Sequence, residues 1–75
     1  MTAARGVILF HTSAAVFRAE RLLVEGGLPV KLVPTPREFS SDCGIALSVA
    51  WSRSEEAVRR LQAAGVEIVA LHPLE

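Results

Sequence analysis

The segment Ile45-Ala-Leu-Ser-Val-Ala-Trp51 has the clearest structural pattern in the chain, because its side chains alternate strictly between large and small. Large apolar side chains occupy every second position from Ile45 to Trp51, and alanine or serine fills the positions between them. This alternation is typical of a β-strand with one face in a core. We therefore predict a sheet with one face against helices and one face lined by small side chains.

On the carboxyl side of this strand, the sequence predicts a helix and a further strand. Ser52 and Glu55 have the spacing of a capping box, in which two side chains bond the first backbone N–H groups of a helix. Gly65 is typical of a helix end. Residues 66–71 predict the last strand, and His72 after it is expected to lie in solvent.

On the amino side, the sequence predicts another succession of strand, helix and strand. The apolar run Gly6–Phe10 predicts a strand, and Thr12 or Ser13 can cap a helix that ends at Gly26-Gly27. Residues 28–32 alternate again between apolar and other side chains. Prolines flank this strand, which places it at an edge of the sheet, where a missing N–H is tolerated.

The element order β-α-β-β-α-β predicts an α+β fold of the ferredoxin-like type, in one domain over residues 1–75. The four antiparallel strands are expected in the order 4-1-3-2, with both helices on one face. The other face carries Ala46, Ser48 and Ala50 and is a candidate surface for a homo-oligomer. In this topology the loop that ends at Cys43 lies at the same end of the sheet as the start of the first helix.

Composition excludes several classes of function. The 8 basic and 8 acidic residues balance, so we expect no binding to nucleic acid or to an anionic membrane. The single cysteine can form no internal disulfide, and no His/Cys cluster predicts a metal site. The run Gly6–Phe10 is too short for an export signal or a membrane span. We therefore expect a cytoplasmic protein without a metal or a soluble cofactor.

Cys43 is the residue at which we expect any chemistry to take place. The thiolate is the reactive form of a cysteine, and a helix amino end or a nearby cation stabilises it. Gly44 would let a partner approach the sulfur closely. The expected surroundings of the thiol are His11, Thr12, Ser13, Arg37, Ser40, Ser41 and Gly44. The alternative is that Cys43 is a small buried residue that only packs in the core.

The run Pro34-Thr-Pro-Arg-Glu-Phe-Ser-Ser-Asp-Cys-Gly-Ile-Ala-Leu47 resembles the signature of a small bacterial family of putative selenium/sulfur carrier-like proteins. The resemblance extends to Phe10-His-Thr-Ser13 and to Ala19-Glu-Arg-Leu-Leu23, and so to nearly the whole chain. It implies that Cys43 carries sulfur or selenium as a persulfide or selenopersulfide. The chain lacks the Cys-Pro-x-Pro motif of better-understood sulfur-transfer proteins, so their mechanism does not carry over.

Three functions are compatible with these observations. The first is a carrier, not a stand-alone enzyme, in which the Cys43 thiolate accepts sulfur or selenium from a donor protein and passes it to an acceptor protein. The second is an interaction or regulatory module, in which Cys43 only packs and the loop or the open sheet face docks a partner. The third is a redox-sensing thiol that forms a mixed disulfide.

Overall fold

The computed structural model describes residues 4–39 and 43–74. Its helices and strands are, in chain order, β1 (Arg5–Leu9), α1 (Ser13–Glu25), β2 (Val30–Pro34), β3 (Ile45–Ala50), α2 (Ser54–Ala63) and β4 (Ala70–Leu74). A turn of 3-10 helix, Trp51–Arg53, joins β3 to α2. The described elements confirm an α+β fold with two helices and a four-stranded antiparallel sheet.

The strands follow one another across the sheet in the order β2-β3-β1-β4. An order of 4-1-3-2 names the same neighbours, counted from the β4 edge. β1 and β3 are therefore central, and β2 and β4 are the edges. The register pairs Val7 of β1 with Ser48 of β3 on one side and with His72 of β4 on the other.

Both helices pack on one face of the sheet and form the main core with it. The helices contribute five buried side chains, Val16, Ala19 and Leu23 from α1 and Ala57 and Leu61 from α2. The sheet contributes Ile8, Leu47 and Val49, and Phe10, directly after β1, joins them. Burial of each large apolar side chain is worth about 1.5–3 kcal/mol, so this layer is the main source of stability. The alternation in β3 correctly predicted which of its residues face the helices.

The opposite face of the sheet is not open, contrary to the prediction. Its central side chains are at most 4% exposed: Val7, Leu9, Ala46 and Ser48. Phe39, from the connection between β2 and β3, packs against this layer, and Nε of Arg5 donates a 2.6 Å hydrogen bond to Oγ of Ser48. Ala46 and Ser48 therefore do not present the accessible surface that we expected for a homo-oligomer.

The last strand begins later than predicted, because Val66 closes the preceding helix instead of entering the sheet. Gly65 has a φ of 78°, and the N–H of Val66 turns back to the carbonyl oxygen of Leu61 at 2.9 Å. Val66 is buried with the helix-side core. The pairing with β1 is then made by β4, Ala70–Leu74, which includes His72 and Pro73.

The start of α2 also differs from the prediction. Ser52 lies in the 3-10 turn, and the residue before α2 is Arg53, which makes no side-chain capping bond. Ser54 donates from its hydroxyl to the carbonyl oxygen of Trp51 at 2.7 Å. The predicted capping box of Ser52 and Glu55 is therefore wrong, because the turn shifts the helix start beyond Ser52.

Trp51 is half-buried and packs over Gly6 in the central strand β1. A Cβ atom at Gly6 would lie 2.7 Å from Cε3 of the indole, which is closer than packed atoms come. Gly6 therefore provides the space that the tryptophan ring occupies.

Candidate functional site

Cys43 lies just before β3, at the end of the sheet where β1 leads into α1. Because β1 and β3 are antiparallel and Ile8 pairs with Leu47, the start of β3 lies beside the end of β1. The Cys43 residue is 6% exposed and belongs to the helix-side core, together with Phe10 from the end of β1 and Val16 from α1. The thiol is therefore covered by the protein in this conformation.

Thr35 holds the backbone of Cys43 and Gly44 through two hydrogen bonds. Its hydroxyl donates to the carbonyl oxygen of Cys43 at 2.8 Å, and its N–H donates to the carbonyl oxygen of Gly44 at 3.0 Å. These bonds continue the pairing of β2 with β3 one step beyond Pro34 and Ile45. These two bonds hold the backbone beside the thiol against Thr35, which directly follows β2.

Thr35 is not among the residues that the sequence patterns predicted around the thiol. A signal was nevertheless present, because Thr35 stands between Pro34 and Pro36, and proline has no backbone N–H. Thr35 is therefore the only residue of these three that can donate from its backbone. A polar residue that keeps its backbone N–H between two prolines, beside a turn, is a candidate for bonding to the neighbouring segment of the same chain.

Gly44 is exposed, and no atom of the described residues other than its chain neighbours lies within 4 Å of the position that a Cβ would take. Packing within the chain therefore does not require glycine here. Gly44, next to Cys43, is accessible to solvent. The approach of a partner along this side stays a prediction.

His11, Thr12 and Ser13 are exposed at the start of α1. Thr12 is the N-cap of the helix, because its hydroxyl accepts a hydrogen bond from the N–H of Ala15 at 3.1 Å. An open groove of about 320 Å³ beside these residues has the following lining: His11, Thr12, Ala15, Arg18, Gly65, Val66 and Glu67. Cys43 is not among the described residues that line this groove, so the structure does not bring the thiol to it.

Arg37 is exposed on a turn in which the N–H of Phe39 donates to the carbonyl oxygen of Pro36 at 3.0 Å. Ser40 and Ser41, which we expected beside the thiol, lie outside the described residues. The roles of Arg37, Ser40 and Ser41 around Cys43 therefore stay predictions.

Phe39 and His72 stack on each other, with ring centroids 4.1 Å apart and an angle of 5° between the ring planes. His72 is half-buried in β4, opposite Val7, so the expectation that it lies in solvent beyond the last strand is wrong. Because β4 and β2 are opposite edges of the sheet, the segment Thr35–Phe39 crosses the sheet face from one edge to the other. We call this segment the strap.

Residues 5–73 match the model of a family described as Putative Se/S carrier protein-like. The chain belongs to that family. The match begins at the first residue of β1 and ends one residue before the end of β4, so it includes the strap and Cys43. Neither a curated protein nor a solved structure matches the chain.

A metal centre would need several ligating side chains close together. In the ranges 4–39 and 43–74, no group of three His, Cys, Asp or Glu side chains is arranged to hold a metal ion. The helices in these ranges are too short or too polar to cross a bilayer.

Proposed function

We propose that this protein is a cytoplasmic sulfur or selenium carrier on a ferredoxin-like fold, in which Cys43 holds the cargo atom as a persulfide or selenopersulfide. The observation that carries the proposal is the family match over residues 5–73, which contains the only cysteine of the chain. The protein acts between a donor protein and an acceptor protein and is not a stand-alone enzyme. A lone cysteine is typical of a chain that works in a reducing compartment.

Loading would be a thiolate attack on a persulfide of the donor protein. Cys43 loses its proton to solvent, and its sulfur attacks the outer sulfur of the donor persulfide. A new S–S bond forms on Cys43 while the S–S bond of the donor breaks, and the donor cysteine leaves as a thiolate. Transfer to an acceptor thiolate repeats the same exchange, so neither step needs an external oxidant or reductant.

The burial of Cys43 supports this role in one physical respect. Oxidation of a cysteine follows the exposure and thiolate character of its sulfur. A carrier whose sulfur is covered between transfers is protected from unwanted reaction with small thiols and oxidants. With 6% of the residue exposed, the thiol has this protection in the structure, and transfer then requires local opening.

The test is an intact-mass measurement under non-reducing conditions. The protein is incubated with a cysteine desulfurase and cysteine, and we expect a mass increase of one sulfur atom that a reductant removes. The variant Cys43→Ser should gain nothing. A second variant, Cys43→Ser with Ser52→Cys, carries its thiol at an exposed position of the 3-10 turn. Equal loading of that variant, or no loading of the natural chain, would contradict the proposal.

A second candidate is an interaction module in which Cys43 has only a structural role. The observation that favours it is the place of Cys43 within the apolar helix-side core. In a module of this kind, Cys43→Ala would leave partner binding intact. In a carrier, the same substitution abolishes sulfur loading, which the intact mass detects.

A further inference from the structure

We propose that the strap is a releasable segment on the sheet face opposite the helices, and that its release loosens the backbone at Cys43 and so gives access to the thiol. The Cys43 backbone stays in place while Phe39 is stacked on His72, and the thiol becomes exposed when this stack opens. The inference rests on the proposed function, because a carrier thiol is covered between transfers and exposed during them. It concerns the regulation of the same site.

Among the described residues, Phe39 holds the strap to the sheet by a ring contact at the far edge and by apolar packing. Phe39 stacks on His72 at 4.1 Å and packs with the small apolar layer over Val7, Leu9 and Ala46. This layer has three buried members, whereas the helix-side core has twelve. Segments with few buried apolar contacts open at a lower free energy than the core of the same protein. The strap can therefore leave the sheet while the helices stay packed.

Thr35 connects movement of the strap to Cys43. The residue is the first of the strap, and its hydroxyl and N–H bond the carbonyl oxygens of Cys43 and Gly44. When release of the strap includes Thr35, these bonds either break or pull the Cys43 backbone with them. Both outcomes loosen the segment that keeps the sulfur in the core.

Opening also uncovers an apolar surface made by Val7, Leu9 and Ala46. Exposure of this surface to water is unfavourable, so the isolated chain stays mostly closed. A donor or acceptor protein that covers the same surface would bind the open state preferentially and shift the population toward it. The strap would then leave the sheet mainly when a partner is present.

The experiment measures the rate at which iodoacetamide alkylates Cys43 in the folded protein. We expect Phe39→Ala and His72→Ala to raise this rate by about tenfold, because each removes the aromatic stack. His72→Phe keeps a stacking ring and should leave the rate near that of the natural chain. Phe17→Ala is the matched control, since Phe17 is 51% exposed on α1. It should also leave the rate unchanged.

The free energy of unfolding of each variant, from urea denaturation, separates local opening from global unfolding. An increase in the alkylation rate that exceeds the increase in the unfolded population supports local release of the strap. An unchanged rate in Phe39→Ala, or an increase that the unfolded population accounts for, would overturn it. The alkylation rates are independent of sulfur loading. If the variants show the expected rates but the natural chain never loads sulfur, only the carrier proposal is contradicted. If the natural chain loads sulfur but the variants do not show these rates, only the proposal for the strap is contradicted.

Discussion

The hydroxyl of Thr35 donates a 2.8 Å hydrogen bond to the carbonyl oxygen of Cys43, eight residues further along the chain. Together with the bond from the Thr35 N–H to Gly44, it fixes the entry of the thiol into β3. Cys43 is therefore held through its backbone by a residue outside its own segment.

Removal of this hydroxyl should lower stability. We expect Thr35→Val, which keeps the branched shape, to lose about 1 kcal/mol, because the Cys43 carbonyl oxygen loses a partly buried donor. Thr35→Ser retains the donor and should lose less. Urea denaturation measures both variants, and an unchanged stability of Thr35→Val would contradict a stabilising role of this hydrogen bond.

Two glycines, one in β1 and one just before β3, should respond differently to alanine. Gly6→Ala places a Cβ atom 2.7 Å from Trp51 and 3.3 Å from the backbone oxygen of His72, so we expect a loss of about 1–3 kcal/mol. Gly44→Ala meets no atom of the described residues within 4 Å beyond its chain neighbours, and its effect should stay within about 0.5 kcal/mol. Thermal or urea unfolding of the pair checks this. A similar loss at both positions would contradict the packing of Trp51 over β1.

Glu56 should make stability depend on pH. A side-chain hydrogen bond from Arg53, with the charges of Arg53 and Arg60, lowers the pKa of the Glu56 carboxyl from its ordinary value of 4.5. A lowered pKa in the folded state stabilises the protein above pH 4.5, and this stabilisation is lost as the pH falls through the folded-state value. We expect Glu56→Gln to be less stable than the natural chain at neutral pH.

The same difference should vanish in acid, where the natural carboxyl is protonated. Urea denaturation of both proteins at neutral pH and at several values below pH 4.5 measures it. Arg53→Gln removes the largest cause of the shift and should reduce the pH dependence. A difference between the proteins that does not change with pH would show that Glu56 acts through packing alone.

The choice of substitution at Cys43 should affect stability as well as chemistry. Cys43 is buried in an apolar cluster, and a hydroxyl costs more to bury there than a methyl group. We therefore expect Cys43→Ser to be less stable than Cys43→Ala, by about 1 kcal/mol. Calorimetric unfolding of both compares them. If serine is the better tolerated of the two, the pocket around the sulfur is polar and the thiol is not a simple core residue.

The sequence predicted the layers of the fold because they depend on local patterns. The alternation from Ile45 to Trp51 identified the face of β3 that meets the helices, and Thr12 was one of two predicted caps of α1. The start of β4 was misplaced because Val66 is apolar in either role, as the first residue of a strand or as the residue that closes a helix. Apolar character alone does not distinguish these two roles.

The covered sheet face could not be predicted, because it depends on a contact between distant residues. Phe39 and His72 are 33 positions apart, and neither lies in a periodic pattern that indicates its partner. Because His72 was expected in solvent, no sequence pattern indicated which residue would contact the loop between β2 and β3. The place of Cys43 at the β1–α1 end of the sheet follows from topology, whereas its burial and its bond to Thr35 depend on the path of this loop.

The two edge strands have a further consequence for how copies of this chain meet in concentrated solution. Each edge carries a proline, Pro34 in β2 and Pro73 in β4. Proline gives no N–H to an incoming strand, so neither edge offers an unbroken row of donors. The sheet is thus protected at both sides against the edge-to-edge growth that leads to aggregation. A protein of 75 residues whose apolar strands make up its centre can in this way stay dispersed at high concentration.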